Sequence, residues 1–220
     1  EIEPNVSSKF GLFSPETGIL DVPTFISSLL NDFESMGGLV SCNSTHIATK
    51  YQNRKFISHI ITGSDEFLIS SNYLVVSKGL SSDQFSKECI SANINDIKKN
   101  NYCKGQYYKL KGPNPFNHLI YPLPSSLGLG IHVSFNIDGS VKFGPDTQMV
   151  ESINYNFEQG SKDFFYNAIK QYYPDISMND LSEDYVGIRP KIQKKGESFS
   201  DFSILTKQDH GYSRLLYLQG

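Results

Sequence analysis

The 220-residue sequence predicts an α+β fold in which short strands outnumber helices. Three observations carry this. Runs rich in β-branched and aromatic residues recur between turn signals, as in "HIATKYQNRKFISHII" and "EFLISSNYLVVS". Three segments instead repeat their apolar residues at helical spacing. Asp138-Gly139, set between two alternating runs, marks a tight hairpin and with it an antiparallel pairing.

Taken in order, Asp21 caps a helix with Pro23 in its first turn, and Phe25, Ile26, Leu29, Leu30 and Phe33 form its apolar face until Gly37 and Gly38 end it. "LVSCN", "HIATKYQNRKFISHII" and "EFLISSNYLVVS" read as strands, with "TGSDE" as a turn between the last two. Residues 81–99 form a second helix, capped by Ser81 or Ser82, with Phe85, Cys89, Ile90, Ile94 and Ile97 along one face. From 104 to 144 the pattern becomes an antiparallel meander of "KGQYYKLKG", "HLIYPLP", "GIHVSFNID" and "SVKFG". Phe164, Phe165, Ala168, Ile169 and Tyr172 share one face of a third helix that Pro174 terminates. The strands "DYVGIRPKI", "DFSILTK" and "RLLYLQG" follow, with a mobile surface loop expected at 193–200.

The composition narrows the function. The 20 basic and 23 acidic residues give a formal charge of −3 and are spread along the chain, so nucleic acid is not an expected partner. No stretch approaches the roughly 20 apolar residues needed to span a bilayer, and no targeting segment is visible. Cys42, Cys89 and Cys103 lack CxxC spacing, which points to reduced thiols in an intracellular protein, cytoplasmic or mitochondrial. No metal site is expected, since the five histidines show neither HxxxH nor HxH spacing. Glu1 stands where a start methionine would, so the chain is expected to be processed or part of something longer.

The candidate residues each admit two readings. Arg189, set among apolar residues in "YVGIRPKI", either pairs with an internal carboxylate or holds an acidic ligand, whose two oxygens match the guanidinium fork. His132, in "GLGIHVSFNIDG", points away from Ile131 and Val133. It is either a hydrogen-bonded sheet histidine or a proton acceptor near neutral pH. Tyr121 is a packed aromatic or an active-site donor.

"SPETGILD" (14–21), "KGQYYKL" (104–110), "LIYPLP" (119–124), "GLGIHVSFNIDGSVKFGPD" (128–146) and "YVGIRPKI" (185–192) together resemble the FAD-dependent oxidoreductases of the D-amino-acid oxidase and glycine oxidase superfamily, and within it the L-2-hydroxyglutarate dehydrogenase (oxidase) branch. The resemblance implies an antiparallel substrate cap with helices plus part of a Rossmann-like FAD-binding domain. It divides the chain into a partial FAD-binding domain with a β-hairpin at 1–80, a mostly substrate-binding cap at 81–185, and a return to the FAD-binding domain at 186–220. The implied reaction is FAD-dependent oxidation of a small 2-hydroxy acid to the 2-oxo acid. Arg189 then holds the substrate carboxylate, His132 takes the hydroxyl proton, Tyr121 orients the acid and Lys191 adds charge for a second carboxylate. Gly18, Gly79 and Gly220 fall where the chain meets the cofactor.

The sequence departs from the family in three places. No GxGxxG turn and following helix for the pyrophosphate occurs in these residues, and no Gly-rich closing turn and helix follows Gly220. The chain therefore resembles the middle and later part of such an enzyme, and the missing FAD-binding portion is an expected partner. Lys78 replaces the family's alanine in "YLVVSKGLSS", either to approach a phosphate or because the site has decayed. A related flavoenzyme acting on an amino acid or glycerol 3-phosphate, and a non-catalytic remnant that binds a small acid or a protein, are the competing readings.

Overall fold

The structure, a computed structural model, describes residues 2–88, 97–123, 130–194, 196–198 and 200–220, with the side chains of 86 and 87 left aside. In chain order the elements are α1 (Val22–Ser35), β1 (Ser44–Gln52), β2 (Lys55–Thr62), β3 (Asp65–Ser71), β4 (Leu74–Val76), a 3-10 segment (Gly79–Gln84), α2 (Phe85–Glu88) and β5 (Asn101–Leu110). There follow β6 (Val133–Phe135), β7 (Val141–Phe143), β8 (Gln148–Val150), α3 (Ser161–Lys170), a 3-10 turn (Met178–Asp180), β9 (Leu181–Lys191), β10 (Ser203–Leu205), α4 (Lys207–His210) and β11 (Leu215–Gln219). They fall into two compact units, one of Glu1–Leu29 with Cys103–Arg189 and the other of Leu30–Tyr102 with Pro190–Gly220.

The first unit is built on a sheet whose order is β6-β7-β5-β8, with β9 also paired to β5. Alternation along these strands divides its two faces. Tyr108 and Leu110 of β5, Val133 of β6, and Val141 and Phe143 of β7 are buried in one core with Phe165 and Ile169 of α3. Helix α3 seals that face: the Tyr108 and Phe165 rings lie 4.7 Å apart, and the Tyr108 hydroxyl meets the Ser161 hydroxyl at 2.8 Å. Further along the same side of β5, the fully buried Lys104 donates to Glu158 Oε1 at 2.7 Å and to the Asn156 carbonyl, while Gln106 is gripped through its backbone and side chain by Asp146. The buried Lys104 charge is thereby neutralised in place.

The second unit contains two sheets. One is the antiparallel ladder β1-β2-β3, and the other has order β10-β11-β4, in which β11 runs parallel to β4 and antiparallel to β10. Phe56, Val76, Phe85, Leu205, Leu215 and Tyr217 form its core.

The local signals give α1, the hairpin of β6 and β7, α3, β9, β10 and β11 as expected. Asp21 accepts from the Thr24 amide at 3.1 Å and its hydroxyl at 2.7 Å, contacts that hold its carboxyl below the usual range. The structure also corrects the reading. "LVSCN" is not a strand; β1 starts only at Ser44. "HLIYP" supplies a single bridge, Ile120 to Val133, because the prolines and the short run leave no ladder to extend. Residues 104–144 are not a simple meander, since β5 pairs with β7 rather than with its successor. The turn Asn53-Arg54, both residues at positive φ, splits the 46–61 run into two strands, and β8 is additional. The expected helix at 81–99 begins as a 3-10 segment followed by α2, and its continuation over 89–96 lies outside the described residues. Residues 195 and 199 of the predicted loop lie outside them as well.

Candidate functional site

With α3 over one face of the first unit's sheet, the opposite face is the place for chemistry. Alternation puts Tyr107 and Lys109 of β5, Lys142 of β7 and Ser134 of β6 on that face, because their neighbours Tyr108, Leu110, Val141, Phe143 and Val133 are buried on the other. His132 precedes the buried Val133 and stands on the same side as Ser134. Its carbonyl accepts from the Gly144 amide at 3.0 Å, which fixes the backbone beneath the ring. The Tyr121 ring meets the His132 ring edge-to-face, with centroids 4.6 Å apart. The two sequence-predicted residues thus form one contact pair.

On β9, Tyr185 lies flat on Tyr107, ring centroids 4.4 Å apart and planes at 14°. This contact places Tyr185 on the open face, although Leu181, four residues earlier on β9, is buried in the core with α3, so the strand does not keep a strict period of two. Arg189 is exposed and forms no salt bridge among the described residues. The internal-carboxylate reading of its charge therefore finds no partner there. Lys142 extends its ammonium over the tyrosine pair, 5.8 Å from the Tyr107 centroid and 5.7 Å from that of Tyr185, within cation–π range. Burial, then the neighbouring Tyr107, pushes the Tyr185 phenol well above its usual range. Tyr107, Tyr185 and Lys142 were not singled out from the sequence. The signal that points to them is the alternation of "QYYKL", read together with the pairing partners that the sequence alone does not supply.

In the second unit, β4 and β11 end side by side in the same direction, the arrangement in which open α/β sheets bind ligands beyond the carboxyl ends of their strands. A cavity of about 370 Å³ lies there, lined by Ser77, Gly79, Phe202, Ser203, Gln219 and Gly220 among others. Gly79 has φ +53° and nothing within 4 Å of where a Cβ would stand. A ligand can therefore reach its backbone, which fits the close glycine approach that a dinucleotide makes. Gly79 and Gly220, two of the three sequence-predicted cofactor residues, are brought together in this cavity. Gly18 sits in an exposed irregular segment of the first unit, with open space around it. A larger cavity of about 640 Å³ lies at the opposite, amino-terminal ends of β4 and β11 and holds none of the predicted residues.

Lys78 bonds Glu88 Oε2 at 2.5 Å, and the same oxygen meets His46 Nδ1 at 3.0 Å. An internal carboxylate thus engages the ammonium left unassigned in the sequence. Lys191 is half-buried at the end of β9, its carbonyl receiving a 3.5 Å contact from Asn101 Nδ2. No helix among the described residues is long and apolar enough to cross a membrane.

The pattern of the FAD dependent oxidoreductase family matches residues 1–220. The mitochondrial L-2-hydroxyglutarate dehydrogenase of Arabidopsis thaliana is 29% identical over 260 residues, an alignment that takes in 100% of this chain and 53% of that protein. The L-2-hydroxyglutarate dehydrogenase of Escherichia coli K12 is 23% identical, with 94% of this chain and 57% of that one covered. The chain thus spans little more than half the length of these relatives. Among solved structures, glycine oxidase from Geobacillus kaustophilus superposes with a TM-score of 0.66 at 11% identity, covering 90% of this chain and 48% of that one. The FAD-bound L-α-glycerophosphate oxidase of Mycoplasma pneumoniae gives 0.63 at 15%, covering 80% and 44%.

Proposed function

The chain belongs to the FAD-dependent oxidoreductase family, and from that premise we propose that it forms the substrate-binding part and a portion of the cofactor-binding part of an enzyme oxidising L-2-hydroxyglutarate or a near analogue to the 2-oxo acid. The observation that carries the reading is the two-sided sheet: α3 seals one face, while His132 and Tyr121 meet away from it and a layer of tyrosines and lysines covers the other, with the exposed Arg189 further along the strand of Tyr185. An open face of this composition favours a small anion with a hydroxyl to deprotonate.

In this reading Arg189 receives the C1 carboxylate through paired hydrogen bonds. His132 accepts the hydroxyl proton while the Cα–H bond breaks, and Tyr121, against its edge, fixes the plane of the imidazole. Ser77, Gly79, Gln219 and Gly220 would line one stretch of the cofactor's path, with Gly79 exposing its backbone to it. The flavin, when bound, supplies the acceptor for the two electrons and the hydrogen that leave Cα. On this assignment the first unit is the substrate cap and the second belongs to the flavin-binding half. Gly18 and Lys191 remain proposed as cofactor- and substrate-side residues on the resemblance alone.

The full-length gene product, loaded with flavin and kept without oxygen, should bleach on addition of L-2-hydroxyglutarate and stay coloured with glycine or glycerol 3-phosphate. Bleaching by glycine or glycerol 3-phosphate in preference to the hydroxy acid would refute the substrate. A product that takes up no flavin would refute the whole reading and favour the non-catalytic alternative.

A further inference from the structure

We propose that Lys142, standing on the Tyr107–Tyr185 platform, is the subsite for a second acidic group and makes this face selective for dicarboxylic over monocarboxylic substrates. This rests on the reading of the open face as the substrate face and gives the far end of the acid to Lys142, in place of the Lys191 that the resemblance implies.

Four observations support it. The ammonium of Lys142 forms neither a salt bridge nor a side-chain hydrogen bond among the described residues; its recorded contacts are the two tyrosine rings, at 5.8 and 5.7 Å. Its position is built: Val141 and Phe143 are buried in the core on either side of it, at 2% and 0% exposure, so the strand cannot turn the lysine away from the open face. The platform is built as well, by the parallel stack of Tyr107 and Tyr185 from two paired strands. Finally, the platform and Arg189 belong to one strand. Tyr185 and Arg189 are four residues apart, about 13 Å along β9. In the proposal a diacid lies along β9, with its α-carboxylate on Arg189 and its distal carboxylate on Lys142, the two side chains extending toward it from either end.

The cation–π contact also explains why a lysine can wait there. Ring faces hold an ammonium in place without neutralising it, whereas a carboxylate partner would have to be displaced by substrate. Lys104 in the same unit shows the contrast, since Glu158 already satisfies its charge.

The test compares L-2-hydroxyglutarate with L-2-hydroxyvalerate, in which a methyl group replaces the distal carboxylate, on the flavin-loaded full-length enzyme. Lys142→Met should lower the ratio of kcat/KM for the diacid over the monoacid by about ten- to hundred-fold, the loss of one charge-assisted hydrogen bond, with the change in KM. Lys142→Arg should keep most of that ratio. Equal losses on both substrates in Lys142→Met would make the lysine a structural residue and overturn the proposal, as would a ratio that falls in Lys191→Met while Lys142→Met leaves it intact. An enzyme that oxidises neither acid would defeat the proposed function. The subsite is then read from binding alone: tighter binding of glutarate than valerate, lost in Lys142→Met, sustains it, and equal affinity for the two overturns it.

Discussion

The strand that carries Tyr107 to the open face is anchored from behind by Lys104, and this pair should respond asymmetrically to neutralisation. Lys104 is fully buried, while its partner Glu158 keeps 44% of its side chain in solvent. Glu158→Gln leaves a complete charge in the interior facing two neutral acceptors. Breaking a buried pair in this direction costs about 3–5 kcal/mol, and the surviving amide oxygen places the value near the lower end, at about 3 kcal/mol. Lys104→Met leaves a carboxylate that water already reaches, loses the bond to the Asn156 carbonyl, and fills the space with an apolar side chain. The unmet carbonyl costs about 1–3 kcal/mol and the buried thioether offsets part of it, so about 1 kcal/mol is expected. The two variants should differ by about 2 kcal/mol on these figures. Urea unfolding measures this at matched m-values; with 13 tyrosines and no tryptophan, near-ultraviolet circular dichroism of tyrosine is the probe. Lys104→Met equalling or exceeding Glu158→Gln in destabilisation would refute the burial argument.

Two further outcomes follow from the same geometry. Burial holds the Tyr172 phenol far above its usual range, while its hydroxyl donates to the Ile131 carbonyl at 3.0 Å. The folded state favours the neutral form, so this contribution is full below the ordinary phenol pKa of about 10 and is lost as pH rises beyond it. Tyr172→Phe should therefore lose about 1 kcal/mol near neutrality and show a shallower decline of the urea midpoint in alkali. The slope should not vanish, because Tyr108, Tyr173, Tyr185 and Tyr217 are shifted in the same direction; an unchanged slope would contradict the assignment. Gly144→Ala would set a Cβ 2.7 Å from the Gln106 carbonyl at φ +129°, whereas Gly139→Ala, at φ +80°, meets nothing within 4 Å. Thermal unfolding should show the first as the more damaging, by about 1–3 kcal/mol.

The sequence reveals most where the decisive contacts are local. Helix α1 announces itself because Asp21 bonds Thr24 within one turn, and the hairpin of β6 and β7 because Gly139 supplies the positive φ that its turn requires. His132 and Tyr121 were both visible as candidates, but their contact was not: it depends on the bridge between Ile120 and Val133, which no periodicity encodes. The Tyr107–Tyr185 stack is further from reach, since it forms only once β9 is laid beside β5. Lys142 looks like any surface lysine of an alternating strand until that stack exists beneath it. Arg189 shows the reverse case. Its chemistry was legible, and the structure adds the missing fact, that no carboxylate among the described residues pairs with it. The sequence leaves Lys78 open between a phosphate and decay, and the contact with Glu88 gives it a partner that no motif signals.

The central claim is that the sheet face opposite α3 receives the acid. A crystal structure of the full-length flavoprotein with 2-oxoglutarate tests this most directly. It should place both oxygens of one carboxylate within about 2.7–2.9 Å of the Arg189 guanidinium nitrogens, on the side of the sheet that carries Tyr107 and His132. An acid bound elsewhere, with Arg189 still directed into solvent, would contradict the account.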